Sequence, residues 1–179
     1  MSRGSVGWQV RRASPADARV IAAHRLPELP LDDADVLAYA DWLPGAMRRG
    51  LYLGWVAEAE GAVVAGAGLT LLEWGPTRGD PQPWRGRVVN VWTHPDWRRQ
   101  GAARQLVGLA LQAAGERGIR VVGLAATDLS RPLYASLGFE PCGAELLRRS
   151  RHPGPLHCPH DPEHSPRGPE RPRHPDRAV

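Results

Sequence analysis

Apolar residues recur at intervals of three and four positions in the middle of the chain, at Ala103, Leu106, Val107, Ala110, Leu111 and Ala114. This spacing places them on one stripe of an α-helix, and Gly115 and Gly118 predict where the helix ends. The apolar run 120–125 that follows predicts a buried strand. Together with a strand before the helix, it predicts a strand–helix–strand unit with parallel strands and a right-handed crossover.

Upstream of this unit, alternating apolar positions predict strands that pair as hairpins. The segments with a strand pattern are 8–11, 51–58, 62–74 and 88–93. In the second of them, Leu53, Trp55 and Ala57 share one face. Glu60-Gly61 predicts a tight turn between two strands, and the segment 75–87, rich in Pro, Gly and Arg, predicts a loop.

Two helices are predicted between the first strand and the hairpin. Ser14 and Pro15, with an acidic residue at Asp17, form the pattern of a helix start. The predicted helices run from Ser14 to about Arg25, and from about Asp33 through Ala40 with an interruption near Pro44-Gly45. Phe139 and residues 144–147 are expected to supply the last strands.

Composition bounds the organisation of the chain. Its 179 residues, of which 42% are apolar, support one domain, placed at residues 1–150. Residues 151–179 are rich in proline, histidine and arginine, which predicts a disordered or extended tail without a metal site. No apolar run approaches the ~18 residues of a membrane span, and the N-terminus lacks a secretion signal. With only two cysteines, the chain is expected to be cytoplasmic.

The charge first suggests a nucleic-acid partner. The net charge is +4, carried by arginine alone, and the pI is about 9.8. The arginines are scattered along the chain rather than grouped in a run, and core packing in strands explains most of the tryptophans. We therefore expect no nucleic-acid partner, although the pI keeps that class as an alternative.

The segment 89–103 has the pattern of a phosphate-binding loop. A β-branched strand leads through a turn at Pro95 into a loop that contains Arg98, Arg99 and Gly101 and opens the predicted helix. The first N–H groups of a helix have no partner within it, and the helix dipole there favours negative charge. Glycine permits close approach of a ligand, and arginines add positive charge. The chain has no lysine, which argues against a Walker nucleotide loop.

Two sequence blocks point to a family. Residues 98–103, Arg-Arg-Gln-Gly-Ala-Ala, resemble the [RQ]-x-x-G-x-[GA] loop of the GNAT superfamily of acyl-CoA-dependent N-acetyltransferases. Residues 131–139 are similar to its LYxxLGF segment, in the same order and at the same separation. The resemblance covers about the first 150 residues. It implies an α/β GNAT fold: a mixed, mostly antiparallel sheet with a splayed parallel strand pair, helices on both faces, and acetyl-CoA as acyl donor.

The resemblance also implies roles for individual residues. Tyr134 would point its hydroxyl at the CoA sulfur and donate a proton to the leaving thiolate, since a phenol stays protonated at neutral pH. Its alternative role is a packed core aromatic. The expected cofactor-binding residues are Val91, Trp92 and Thr93 along the pantetheine arm, and Arg98, Arg99, Gln100, Gly101, Ala102 and Ala103 at the pyrophosphate.

The general base and the acceptor are less clearly marked. Many family members carry a glutamate on the strand before the loop, where this chain has Asn90, which cannot accept a proton. Glu73, His94 or a water chain could take the place of this glutamate as the general base. An acidic group borders the expected acceptor cleft: Glu28, Asp32, Asp33, Asp35 and Asp41. It would attract a cationic amine, unless these acids only solvate a helix start. Asn90, Glu73 and Asp41 are therefore the candidate substrate-binding residues.

The sequence favours an N-acetyltransferase that moves an acetyl group from acetyl-CoA to a primary amine of a small molecule or peptide. The amine would attack directly in a ternary complex, and a homodimer is compatible with the sequence. The alternative is a non-catalytic acyl-CoA-binding module, which the missing strand carboxylate motivates.

Overall fold

Five strands form one sheet in the computed structural model, which describes residues 7–142. They are β1 (Gln9–Arg12), β2 (Tyr52–Ala59), β3 (Ala62–Glu73), β4 (Trp84–Thr93) and β5 (Val122–Gly123), in this spatial order. The first four pair antiparallel, whereas β4 and β5 are parallel. The predicted mixed, mostly antiparallel sheet with one parallel pair is therefore confirmed.

Helices pack on both faces of this sheet. They are α1 (Ala18–Arg25), α2 (Ala34–Arg48), α3 (Ala102–Glu116) and α4 (Arg131–Ala135). Helices α1 and α2 share a core with Tyr52, whereas α3 packs against the opposite face with Trp55 and Leu69. Single 3₁₀ turns precede α1 and follow β4. In the described part of the chain, no helix has the length and apolar character needed to cross a bilayer.

The apolar stripe of α3 is the best-predicted helical feature. The side chains that it buries are Ala102, Leu106, Val107, Ala110, Ala113 and Ala114. Ala103 and Leu111 of the predicted stripe are half-buried, so the buried face is turned slightly from the predicted one. Gly118 adopts a left-handed φ of 70° just past the helix, and Gly115 lies within its last turn.

Helix α2 corrects the predicted interruption at Pro44. The helix runs through this proline, which has no N–H for a bond to the preceding turn. Leu43 and Ala46 on either side are fully buried. Packing of these residues therefore holds the helix together where local propensity alone predicts a break.

Two strand predictions are also corrected. Strand β4 begins at Trp84 rather than at residue 88, because residues 84–87 pair with the end of β3. Strand β5 covers two half-buried residues instead of the predicted run 120–125, since its pairing with β4 ends at Gly123. Phe139 lies in no strand and packs edge-on against Tyr134. Residues 144–147 and the predicted tail lie outside the described residues.

Glycines line the sheet beneath α1 and Tyr52. A Cβ on Gly68 would overlap the Tyr52 hydroxyl, and one on Gly66 would lie 2.9 Å from Nδ1 of His24. On Gly54 it would lie 2.8 Å from the Cβ of Ala13. The missing side chains let the Tyr52 ring lie across the sheet and let α1 approach it closely.

We expect Gly68→Ala to lower the free energy of unfolding by about 1–3 kcal/mol, because the added methyl group displaces Tyr52. Gly108→Ala in α3 is the matched control, since a Cβ there meets nothing within 4 Å. It should be neutral or stabilise by roughly 0.5–1 kcal/mol. Denaturant unfolding of both variants measures the difference; equal stabilities would show that Tyr52 is not confined by Gly68.

Candidate active site

A β-bulge interrupts β4 at Asn90. The register with β3 shifts between Gly66 and Gly68, so that Ala67 stands opposite two residues, Asn90 and Val91. Asn90 has a left-handed φ of 56°, a conformation that asparagine adopts more readily than most residues. A bulge leaves backbone groups of the longer strand without ladder partners.

The side chain of Asn90 holds this bulge in place. Its Nδ2 donates to the hydroxyls of Tyr39 at 2.9 Å and Tyr52 at 3.0 Å. Its Oδ1 accepts a hydrogen bond from Arg25 at 3.3 Å. Burial raises the pKa of both tyrosines, so both hydroxyls remain protonated at neutral pH. The structure thus gives this side chain protein partners; substrate binding by Asn90 stays a prediction.

One edge of β4 is open beside the bulge. Strand β5 pairs with β4 at Gly86 and Arg87, whereas β4 continues to Thr93. Within residues 7–142, positions 88–93 therefore have no strand partner on this side. Val91 packs into the core below the edge, and the Trp92 ring lies on the α1 side. This is the predicted splay of the parallel pair.

The loop after β4 is braced by its own side chains. Arg98 Nε donates to the carbonyl oxygen of Thr93 at 3.1 Å. Gln100 Nε2 donates to the carbonyl oxygen of Asp96 at 3.1 Å. Arg99 adopts a left-handed φ of 62°. Residues 98–101 are exposed, so the predicted basic loop is available to a ligand.

Helix α3 begins directly after Gly101 with uncapped N–H groups. Gly101 has a φ of 98° and provides no side chain to cap the helix. The first helical hydrogen bond joins Gln105 N to the Gly101 carbonyl oxygen, which leaves residues 102–104 without partners inside the helix. A Cβ on Gly101 would meet nothing within 4 Å. Ala102 is buried and anchors this helix start, and the open side suits an anion.

Tyr134 lies on the α3 side of the sheet. It is 7% exposed and belongs to the same core cluster as Ala102. Arg104 in the first turn of α3 donates to Oγ of Ser136 at 2.6 Å, which ties the end of α4 to the start of α3. Burial raises the pKa of the Tyr134 hydroxyl, so it stays protonated at neutral pH and can donate.

The structure does not bring Glu73 to the bulge. Glu73 is exposed at the end of β3, opposite Trp84, six residues beyond Ala67. At roughly 3.3 Å per residue, it lies about 20 Å from the bulge, too far for a general base at that point. His94 is exposed, and its Nδ1 accepts a hydrogen bond from Asp96 N at 3.3 Å.

The predicted acidic group is dispersed around the start of α2. Asp33 caps this helix by accepting a hydrogen bond from Asp35 N at 2.9 Å. Asp41 is exposed on α2, next to Trp42. The capping role of Asp33 matches the alternative that these acids favour a helix start; substrate binding by Asp41 stays a prediction.

His24 is a buried group at the bulge that sequence reasoning missed. Its ring stacks on Trp92 with centroids 4.1 Å apart, and it is 7% exposed. Among the described residues, its Nδ1 has no hydrogen-bond partner. Burial lowers its pKa to about 4, so it is neutral at pH 7. His24 lies three residues after the buried Ile21, which places both on the buried side of α1. This spacing is the sequence signal that could have identified it.

Comparison with known proteins agrees with this geometry. Residues 19–139, more than half of the chain, match the model of the acetyltransferase (GNAT) family. A GCN5-related N-acetyltransferase from Ralstonia eutropha JMP134 is 32% identical and has a TM-score of 0.69. The match covers 80% of this chain and 99% of that one. A search of curated proteins gives no match.

Two ligand-bound structures share the fold. A predicted acetyltransferase with acetyl-CoA from Clostridium acetobutylicum is 22% identical, with a TM-score of 0.73, over 79% of this chain and 96% of that one. An aminoglycoside N-acetyltransferase in complex with CoA is 18% identical, with a TM-score of 0.66, over 85% of this chain and 100% of that one.

We expect His24 to make the protein sensitive to mild acid. Its pKa is lowered from 6.5 to about 4, so the unfolded chain binds a proton first and stability falls as pH drops from 6.5 towards 4. The loss amounts to roughly 3 kcal/mol when complete. His24→Phe keeps an aromatic ring on Trp92 and should remove this part of the pH dependence in urea unfolding.

His94→Gln is the matched control, because His94 is exposed, and its profile should follow that of the parent. If His24→Phe loses as much stability as the parent between those two pH values, His24 is not the group responsible.

Proposed function

The chain belongs to the acetyltransferase (GNAT) family and is an acyl-CoA-dependent acetyltransferase with acetyl-CoA as donor, and from this premise we propose that it acetylates a primary amine of a small molecule or peptide. The observation that carries the proposal is the bulge at Asn90, which lies within the open edge of β4, the strand whose following loop leads to the start of α3. In this proposal, the linear donor lies on one side of the bulge and the amine on the other.

The donor would lie along the open edge of β4. The N–H groups at residues 102–104 would receive the pyrophosphate, with Arg98 and Arg99 adding positive charge. Backbone groups from Val91 to Thr93 would bind the pantetheine amides, much as an added strand pairs with a sheet edge.

In the proposed reaction, the acetyl group passes directly from the donor to the amine. The amine nitrogen attacks the thioester carbon, and the oxygen, as it gains charge, is stabilised by the backbone groups that the bulge leaves unpaired. The carbon–sulfur bond then breaks, and the thiolate takes a proton from the Tyr134 hydroxyl. Solvent then returns a proton to Tyr134. The amine proton leaves to water, and the products are the acetylated amine and CoA.

The surroundings of the bulge favour the neutral amine that this attack needs. Deprotonating a lysine-like amine at pH 7 costs about 4.6 kcal/mol in water. Burial lowers the pKa of His24 and raises those of Tyr39 and Tyr52, so it would likewise lower that of an ammonium group. The positive charge of Arg25 acts in the same direction.

Release of free thiol from acetyl-CoA, measured against a panel of primary amines, tests the proposal. We expect release that depends on the amine and matches the amount of acetylated product, with none above background when the amine is omitted. Tight binding of acetyl-CoA without thiol release for any amine would favour the non-catalytic binding module instead.

Tyr134→Phe should lower kcat by roughly ten- to a thousandfold, because it removes the proton donor for the thiolate. CoA affinity and melting temperature should change little, since the ring still packs against Phe139. The deficit should shrink with an acyl donor whose thiol has a lower pKa. Equal single-turnover rates for variant and parent would leave Tyr134 with a packing role only.

A further inference from the structure

A groove opens on the α1 and α2 side of the bulge. Its volume is about 370 Å³, and its lining includes Arg25, Tyr39, Trp42, Thr70, Arg87 and Val89. Val89 directly precedes Asn90, and Arg25 donates a hydrogen bond to Asn90. The groove therefore lies next to the bulge, on the side opposite to the core that contains α3.

The charge of this groove is positive. Its charged lining residues are Arg25 and Arg87. Within residues 7–142, neither guanidinium has a carboxylate within 4 Å. Asp41 and the acids at the start of α2 are not among the lining residues. A ligand in this groove therefore meets two positive charges that the described residues do not neutralise.

Both arginines are placed by the fold. The Arg25 guanidinium lies over the Tyr39 ring, 4.7 Å from its centroid, and bonds Asn90 through one nitrogen. A guanidinium has five N–H donors in a rigid fork, so others remain for a ligand. Arg87 is exposed on β4, directly opposite Thr70 on β3, whose hydroxyl adds a further polar group.

We propose that the acceptor is an amine that also carries a carboxylate or phosphate group, which Arg25 and Arg87 bind while the amine reaches the bulge. This proposal rests on the proposed amine acetylation. The guanidinium fork matches both anions by paired hydrogen bonds. Trp42, Leu72 and Val89 provide apolar surface for the rest of the molecule. The anionic group, rather than an acidic rim around a cation, would select the acceptor.

Matched pairs of amines separate the anionic group from the rest of the molecule. Suitable pairs are glucosamine 6-phosphate and glucosamine, O-phosphoethanolamine and ethanolamine, and phenylalanine and phenylalaninamide. Thiol release from acetyl-CoA gives kcat and KM for each member with the full chain, and titration calorimetry gives its affinity. We expect the anionic member of at least one pair to be preferred, and the pairs show whether phosphate or carboxylate is the group recognised.

Arg87→Gln tests the assignment, because the residue is exposed and its replacement leaves the core intact. For the preferred anionic member, KM or the dissociation constant should rise about ten- to a hundredfold. Values for its neutral partner should stay within about twofold. Arg19→Gln is the control, since Arg19 is exposed on α1 and does not line the groove; it should behave as the parent.

The outcomes separate this proposal from the one on which it rests. Acetylation that is equal for both members of every pair, or insensitive to Arg87→Gln, would overturn the anionic acceptor and leave amine acetylation standing. Anion binding that depends on Arg87, without acetyl transfer to any amine, would support the groove and refute the proposed function. Failure of every anionic member to be bound or acetylated better than its partner overturns the groove assignment.

Discussion

The hydrogen bond between the Asn90 amide and the buried hydroxyl of Tyr52 fixes the geometry on which this site depends. It holds a residue with a left-handed φ of 56° in the middle of a strand. Such a conformation costs roughly 1–2 kcal/mol for most residues and less for asparagine. Tyr52 is 2% exposed, so losing this donor would leave its buried hydroxyl with one hydrogen-bond partner fewer.

Glycines in β3 leave room for this bond and for the ring of His24 beside it. Tyr52 reaches Asn90 only by lying across β3, where Gly68 leaves room for its hydroxyl. Gly66 does the same for His24, whose ring then stacks on Trp92 just past the bulge. Glycine inside a strand costs stability, and here that cost is tied to the placement of two aromatic side chains against β4.

Local signals predicted much of this molecule because they depend on residues close in the chain. The stripe of α3, the Glu60-Gly61 turn and the loop at 98–103 are of this kind. Pro44 remained helical because distant packing outweighs a local break. Glu73 is a candidate base from sequence because it is a carboxylate at the end of a long predicted strand, whereas the register of β3 carries it away from the bulge.

Contacts between elements could not be predicted in the same way. His24 and Arg25 are adjacent on α1, but one meets Trp92 and the other meets Asn90. Those partners depend on how α1 crosses the sheet, which no spacing along the helix specifies. The positive groove likewise combines residues from four elements. Its charge therefore could not be inferred from the acidic residues that lie close together in the sequence segment 28–41.

Asparagine at position 90 also bears on the charge available to a ligand. A carboxylate here would accept the same hydrogen bond from Arg25 and form an ion pair with it. The guanidinium charge would then be largely neutralised within the protein. The neutral amide accepts that bond at 3.3 Å without cancelling the charge. It also donates to Tyr39 and Tyr52, which a carboxylate cannot do. One amide thus holds β4 in its bulged form and leaves Arg25 charged beside the groove proposed for the acceptor.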